Sequence, residues 1–274
     1  MKFLIAGFGS IGRRHLRNLI ALGQNDIVLY RSQRSTLPVD EIASLPVETD
    51  LQAALAHRPD AVIISNPTAL HLDVAIPAAE AGCHILIEKP VSHSLERLDD
   101  LAQALRRGGG KLLVGFQFRF HPTLQKAAAL IASGALGRLV SIRAQWGEYL
   151  PDWHPWEDYR ASYAARADLG GGVILTLSHP FDYLRMLAGE VSEVFALAQP
   201  FPELILEVDG AADVLLRFSG GAVANVHLDY LRRPGRHALE VVGTDGILEW
   251  DNASGVLAHH QAGAENAETF APPA

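Results

Sequence analysis

KFLIAGFGSIGRRHLRNLIALG, residues 2–23, is the stretch whose reading decides the fold. An apolar run through Phe3, Leu4, Ile5 and Ala6 stops at Gly7, and beyond it apolar residues recur at helical spacing through Leu16, Leu19 and Ile20. Between the two lies Gly7-Phe8-Gly9-Ser10-Ile11-Gly12, a G-x-G-x-x-G set placed after a strand and at the opening of a helix. Glycines let the backbone turn tightly and approach a pyrophosphate, which then rests on the free amides and positive end of the helix. Gly7, Gly9, Ser10, Ile11 and Gly12 are therefore candidate dinucleotide contacts, with a merely tight turn as the plainer reading.

The same rhythm continues outward. DIVLY (26–30), DAVIISN (60–66), CHILIEK (83–89) and KLLVGFQF (111–118) are short and apolar, as strands covered on both faces must be. Segments of helical periodicity separate them, one of which contains Pro77 and is expected to kink there. Residues 1–120 thus read as an α/β domain, a doubly wound parallel sheet of Rossmann type. After residue 121 the pattern changes to a helix, a strand, an aromatic loop, and a helix opening at Gly170-Gly171-Gly172. A succession of strands from Val191 follows, with SGGA and GTDG as hairpin turns. Residues 121–274 read as an α+β domain with a mostly antiparallel sheet, for substrate binding and oligomerisation. The alanine- and proline-rich tail, 262–274, reads as flexible.

Composition narrows the function. Lys and Arg number 23 against 31 Asp and Glu, a net charge of −8 that argues against a nucleic-acid backbone as partner. Cys83 is the sole cysteine, which excludes an internal disulfide and a cysteine-based zinc site and reads as a packing residue. No apolar run reaches membrane-spanning length, and glycines interrupt the N-terminal one, so the expected compartment is the cytoplasm, with no membrane partner. His259 and His260 are adjacent on a strand and point to opposite faces, so no metal site is predicted there or elsewhere.

An acidic residue at the end of the second strand would bind the adenosine ribose of NAD, about 20 residues past the last glycine. Tyr30-Arg31-Ser32 stands there instead, with Arg34 following. A guanidinium can pair with a 2′-phosphate, so Arg31, Ser32 and Arg34 favour NADP(H), with NAD(H) as the alternative and solvated loop charges as the plain reading. Glu88, Lys89 and Pro90 end a strand at the carboxyl edge of the sheet, where ligands of open α/β sheets bind.

Taken together, the glycine motif, SNPTALH (65–71), EKP (88–90), GFQFRFHP (115–122) and GGGVILTLSHPFDYL (170–184) give a chain that resembles the Gfo/Idh/MocA oxidoreductases, the family of glucose-fructose oxidoreductase and inositol dehydrogenase. The resemblance implies a dinucleotide domain, an open-sheet second domain and a sugar-like small-molecule substrate. It makes Lys89 the group that polarises the reacting oxygen, Glu88 its orienting neighbour, and Pro90 the residue that fixes the turn, with a cis bond as in family members. Asn66, Pro67 and His71 would pass close to the dinucleotide, His71 being equally readable as a surface histidine. Gln117 and Arg119 would lie near nicotinamide or substrate, a structural role for Arg119 being the competing reading. His179 would be the acid/base, and a core histidine is the alternative. The family commonly has Asp-x-x-x-His here, whereas this chain has Thr176 three residues before His179. On one helix Thr176, His179 and Asp182 would share a face, which makes Thr176 and Asp182 candidate catalytic partners.

The loop LPDWHPWEDYR (150–160) offers Trp156, Tyr159 and Arg160 to a carbohydrate, or to an oligomer contact. The chain is short for the family, which implies a compact variant or a site completed by another subunit. The second sheet's exposed face suggests a homo-oligomer. The expected activity is an NAD(P)-dependent dehydrogenase or reductase acting on a secondary alcohol or ketone of a sugar, sugar derivative or cyclitol. Alternatives are a dinucleotide-sensing regulator without turnover, or a redox-assisted lyase or glycosidase.

Overall fold

A computed structural model describes residues 1–31, 42 and 44–272. The chain divides into two compact units, one of residues 1–115 with 167–171, the other of residues 116–166 with 172–274.

In the first unit strands β1 (Phe3–Ala6), β2 (Ile27–Tyr30), β3 (Val47–Glu48), β4 (Ala61–Ile64), β5 (His84–Ile87) and β6 (Leu112–Val114) form one sheet in the order β3-β2-β1-β4-β5-β6. Every pairing is parallel. Successive side chains leave a strand on opposite faces, and both faces here need cover. Leu4 and Ala6 pack with Val62, Ile64, Ile85 and Ile87 beneath helices α3 (His71–Glu80) and α4 (Leu98–Gly108). Ile5 turns the other way and packs with Leu29, Ile63 and the Leu16 and Leu19 side chains of helix α1 (Ser10–Ala21). That double burial explains why each run is apolar throughout. Helix α2 (Leu51–Ala56) precedes β4, and α3 is one element through Pro77. The sheet order reverses at β1, whose neighbours are β2 and β4; the carboxyl ends there are where open α/β sheets hold ligands.

The second unit contains strands β7 (Leu139–Gly147), β8 (Val191–Gln199), β9 (Ala211–Phe218), β10 (Val223–Asp229), β11 (Arg236–Gly243), β12 (Gly246–Asp251), β13 (Leu257–Gln261) and β14 (Glu268–Phe270). Their order is β14-β13-β12-β11-β7-β10-β9-β8, antiparallel except for the parallel pair β7 and β10. Inward residues such as Val214, Leu216, Val226, Leu228, Leu239 and Val241 pack against helices α5 (Pro122–Ala132), α6 (Val173–Thr176) and α7 (His179–Ala188). Each such side chain taken from water contributes about 1.5–3 kcal/mol.

Four details differ from the sequence-based expectation. The division falls after Gly115 rather than after residue 120, because Phe118 packs into the second unit's core. Residues 167–171 return to the first unit, where the 167–169 turn meets the 68–70 turn. The tail does not run free over its whole length, since β14 pairs with β13 and Phe270 lies under the Lys126 ammonium at 4.4 Å. The helix expected from the triple glycine is two helices, because Pro180 has no N–H for the Thr176 carbonyl and its ring would collide with it.

Candidate active site

In the first unit the three glycines have three separate reasons. Gly7 has φ +92°, and a Cβ there would lie 2.5 Å from the Asn66 nitrogen. At Gly12 a Cβ would lie 2.3 Å from the Gly7 carbonyl, so this glycine brings α1 against the turn. Gly9 faces open space, with nothing within 4 Å of a Cβ, so the backbone there is open to a phosphate. Helix α1 has no side-chain cap, whereas α2 is capped by Asp50, which accepts from the Ala53 amide at 2.8 Å. Ser10 and Ile11 are exposed in the uncapped turn. Such a terminus suits an anion, so these residues fit the pyrophosphate of a dinucleotide.

Arg31 follows β2, its amide donating to the Glu48 carbonyl, and its side chain is buried with no partner for Nε among the described residues. Ser32 and Arg34 lie outside the described residues. Asn66 and Pro67 follow β4. Asn66 Nδ2 donates to the Leu70 carbonyl, while Oδ1 is buried without a partner among the described residues. His71, expected beside the dinucleotide or at the surface, is instead inside the unit at 1% exposure, with both ring nitrogens against backbone carbonyls.

Glu88 and Lys89 follow β5, and the Lys89-Pro90 bond is cis. Glu88 Oε1 is 2.8 Å from His15 Nε2 of α1, and Oε2 is 3.4 Å from the Lys89 amide nitrogen. A Cβ at Gly115 would lie 2.9 Å from Oε2, so that glycine makes room for the carboxylate. Burial pushes the Lys89 ammonium down to about 8, with the Glu88 carboxylate acting in the opposite direction. A lysine so placed is a cation close to its own titration point. It can donate to an oxygen that gains charge, which is what reduction of a carbonyl or oxidation of an alcohol requires.

The second unit holds the remaining candidates. Arg119 reaches Asp182 through Nε and Nη2 in a two-point fork of 2.7–3.0 Å. Its guanidinium is about half exposed rather than buried, and the hydrogen bonds to Asp182 raise its pKa. Asp182 and His179 both stand on α7, but Thr176 is on α6, so the expected shared face of one helix holds for 179 and 182 alone. The Thr176 side chain is buried beside the deeply buried Tyr230, whose hydroxyl donates to the Ala164 carbonyl at 3.4 Å. Asp209 accepts from the amides of Val173 and Ile174 and sits where a Cβ at Gly172 would collide with it.

The His179 imidazole is buried, with Trp146 stacked beside it at 5.6 Å and the edges of Phe118 and Phe116 at 4.9 and 5.7 Å. Trp146 also stacks on His237 at 4.3 Å and 3°, and the Tyr183 hydroxyl lies 3.3 Å from His237 Nε2. Burial, with His121 nearby, pushes the His237 pKa down to about 3. Gln117 is exposed in the turn that carries Phe118. In the aromatic loop the Tyr159 hydroxyl donates to the Leu204 carbonyl and Arg160 forks onto Asp158, while Trp156 is exposed.

His15, Gly115, Asp209, Trp146 and His237 were not singled out in the sequence. Gly115 and Trp146 flank or belong to strand-like runs, yet what they touch is far away in the chain. His259 is buried and His260 exposed beside Glu249, on opposite faces as strand alternation requires. Among the described residues no group of three His, Cys, Asp or Glu side chains could hold a metal, and no helix is long and apolar enough to cross a membrane.

Comparison with known proteins bears on both units. Residues 1–116 match the family profile described as the oxidoreductase family, NAD-binding Rossmann fold, and residues 124–249 match the GFO/IDH/MocA C-terminal domain. An uncharacterized oxidoreductase of Bacillus subtilis, YrbE, is 32% identical over 91% of this chain and 73% of its own. D-xylose 1-dehydrogenase (NADP(+)) 2 of Haloferax volcanii is 28% identical over 99% of this chain and 84% of its own. Among solved structures, a levoglucosan dehydrogenase in complex with NADH superposes with a TM-score of 0.85 at 23% identity, over 99% of this chain and 80% of that one, which shows the shared fold. Matched in both of its units, the chain belongs to the Gfo/Idh/MocA family of NAD(P)-dependent oxidoreductases.

Proposed function

We propose that this protein is a dehydrogenase or reductase of a secondary alcohol or ketone on a sugar, sugar derivative or cyclitol, with NADP(H) preferred and NAD(H) as the second cofactor. The observation that carries the reading is Lys89: a lysine with its pKa pushed down to about 8, at the end of β5 in a sheet whose first turn is shaped for a pyrophosphate. The name of the D-xylose relative supports the sugar class and the NADP preference.

When bound, the nicotinamide supplies or accepts the hydride. Gly7, Gly9, Ser10, Ile11 and Gly12 would receive the pyrophosphate, and Arg31, with Ser32 and Arg34, the 2′-phosphate. Asn66, Pro67, Glu88 and Gln117 would complete the nucleotide contacts. Lys89 donates to the substrate oxygen and stabilises the charge that grows there. His179 exchanges the proton, since an imidazole can both donate and accept through its two ring nitrogens. Asp182 orients Arg119, and Arg119, Trp156, Tyr159 and Arg160 are assigned to the substrate side. Thr176 stands where the family resemblance places an aspartate, and its burial beside Tyr230 favours a positioning role. The missing carboxylate favours a second reading, a cytoplasmic dinucleotide sensor without turnover. We assign the second sheet to a homo-oligomer contact, supported by Val194, Phe195 and Leu197 being exposed on β8.

Titration of the wild type with NADPH and NADH, repeated on Arg31→Ala, tests the cofactor. Tighter NADPH binding, lost in the variant, is expected; equal or NADH-biased binding overturns the Arg31 assignment. A screen of aldoses and inositols, followed by the absorbance of reduced nicotinamide, separates enzyme from sensor.

A further inference from the structure

His71 opens α3 and is the most enclosed imidazole of the first unit, at 1% exposure. Its Nδ1 lies 2.9 Å from the Pro90 carbonyl oxygen and its Nε2 3.0 Å from that of Asn66. The Val91 carbonyl also faces the ring. The three carbonyls belong to two turns, one after β4 and one after β5, and the second is the turn that presents Lys89. Neither turn is joined to the other by sequence proximity, so the imidazole is a cross-link of backbone to backbone. A neutral ring donates to one carbonyl at a time and an imidazolium to both. Burial favours the neutral form, while the carbonyls and Glu88 favour the cation. In either form both ring nitrogens lie against carbonyl oxygens within the unit, and the neutral ring that burial favours donates to one of them.

We propose that His71 is a positioning residue: carried by α3 just after the β4 turn, its ring lies between the Asn66 and Pro90 carbonyls and fixes the Lys89-Pro90 turn against the turn after β4, and so sets where the Lys89 ammonium stands. The proposal rests on the reading of Lys89 as the polarising group, but its test does not need the substrate. Loosening the turn lets the ammonium reach water, which returns its proton affinity towards that of an ordinary lysine. Packing alone would change stability without moving that affinity.

The chain has four lysines, and Lys2, Lys111 and Lys126 serve as internal references. Competitive labelling with acetic anhydride across pH, read peptide by peptide by mass spectrometry, gives the midpoint of Lys89 in wild type, His71→Asn and His71→Gln. The wild-type midpoint is expected near 8. In His71→Asn it should rise by about one pH unit or more, and in His71→Gln, which keeps a longer donor, by less. Affinity for NADPH should fall by less than about tenfold, since the ring itself is no nucleotide contact and acts only through the Asn66 turn it anchors. An unmoved Lys89 midpoint in a folded variant overturns the proposal, as does a large loss of NADPH affinity with the midpoint unmoved, which would make His71 a cofactor contact. Should neither variant fold, His71 is a folding residue and the positioning role is rejected. A wild type that binds neither nucleotide would remove the functional reading, and the Lys89 comparison would still decide the role of His71.

Discussion

Lys89 in the first unit stands on a turn held by polar contacts, with the His71 ring against two backbone carbonyls and His15 against Glu88, whereas His179 in the second unit is held by rings. Hydrogen bonds fix direction, because they weaken steeply off axis. Ring packing fixes place and excludes water, and it leaves the imidazole's nitrogens to other partners. The contrast fits two tasks: a cation that must aim at one oxygen, and a proton carrier whose ring must stay put while its protonation changes.

The largest effect expected on either side is from Lys89→Met. Removal of the ammonium proposed to polarise the substrate oxygen should lower turnover by about 10²–10⁴-fold with NADPH affinity retained. A variant with turnover within a factor of about three would remove Lys89 from the chemistry.

In the second unit the sharpest handle is pH. His237 is neutral in the fold down to about 3, whereas an exposed histidine takes up its proton near 6.5. Its folded pKa lies below its unfolded one, so the unfolded chain binds the extra proton and stability falls as pH drops from 6.5 towards 3. The full loss, below pH 3, is about 5 kcal/mol. Thermal melts from pH 7 to pH 4 should show a slope that flattens in His237→Gln; an equal slope in the variant would assign the acid sensitivity elsewhere.

Smaller effects separate the glycines. Gly7→Ala should cost about 2–4 kcal/mol, because it meets both a positive φ and the backbone of Asn66. Gly9→Ala should leave the melting temperature nearly unchanged while weakening nucleotide binding, since its Cβ enters open space. Equal destabilisation by both would remove the distinction. A loss at the lower end of the Gly7→Ala range, about 2 kcal/mol, is expected from Asp182→Asn, which breaks the fork from Arg119 while keeping the shape. Denaturant unfolding measures it, and an unchanged midpoint would show the pair to be worth no more than a surface bridge.

The units also differ in how much of them can be read from sequence. In the first, the informative spacings are local: Gly7, Gly9 and Gly12 fall within one turn, and each strand announces itself as an apolar run. What escaped was either too short, as the two-residue β3, or fell where the chain returns, as at 167–171. In the second, the strands were legible from alternation and from Gly-rich turns, but the chemistry was not. Arg119 and Asp182 are 63 positions apart, and Trp146 meets His237 only because β7 and β11 are neighbours in register. Pro180 did carry a local signal for the helix break at Thr176. Family spacing, read as one helix, concealed it.

In the proposed reaction a protonated Lys89 with a depressed pKa stabilises the charge growing on the substrate oxygen. The pH dependence of kcat/KM, on whichever polyol the screen returns, tests it most directly. It should fall as pH rises through about 8, where Lys89 loses its proton, and in Lys89→Arg any remaining activity should lack that fall. A rate that instead rises through this range, or a fall that persists unchanged in Lys89→Arg, would contradict it.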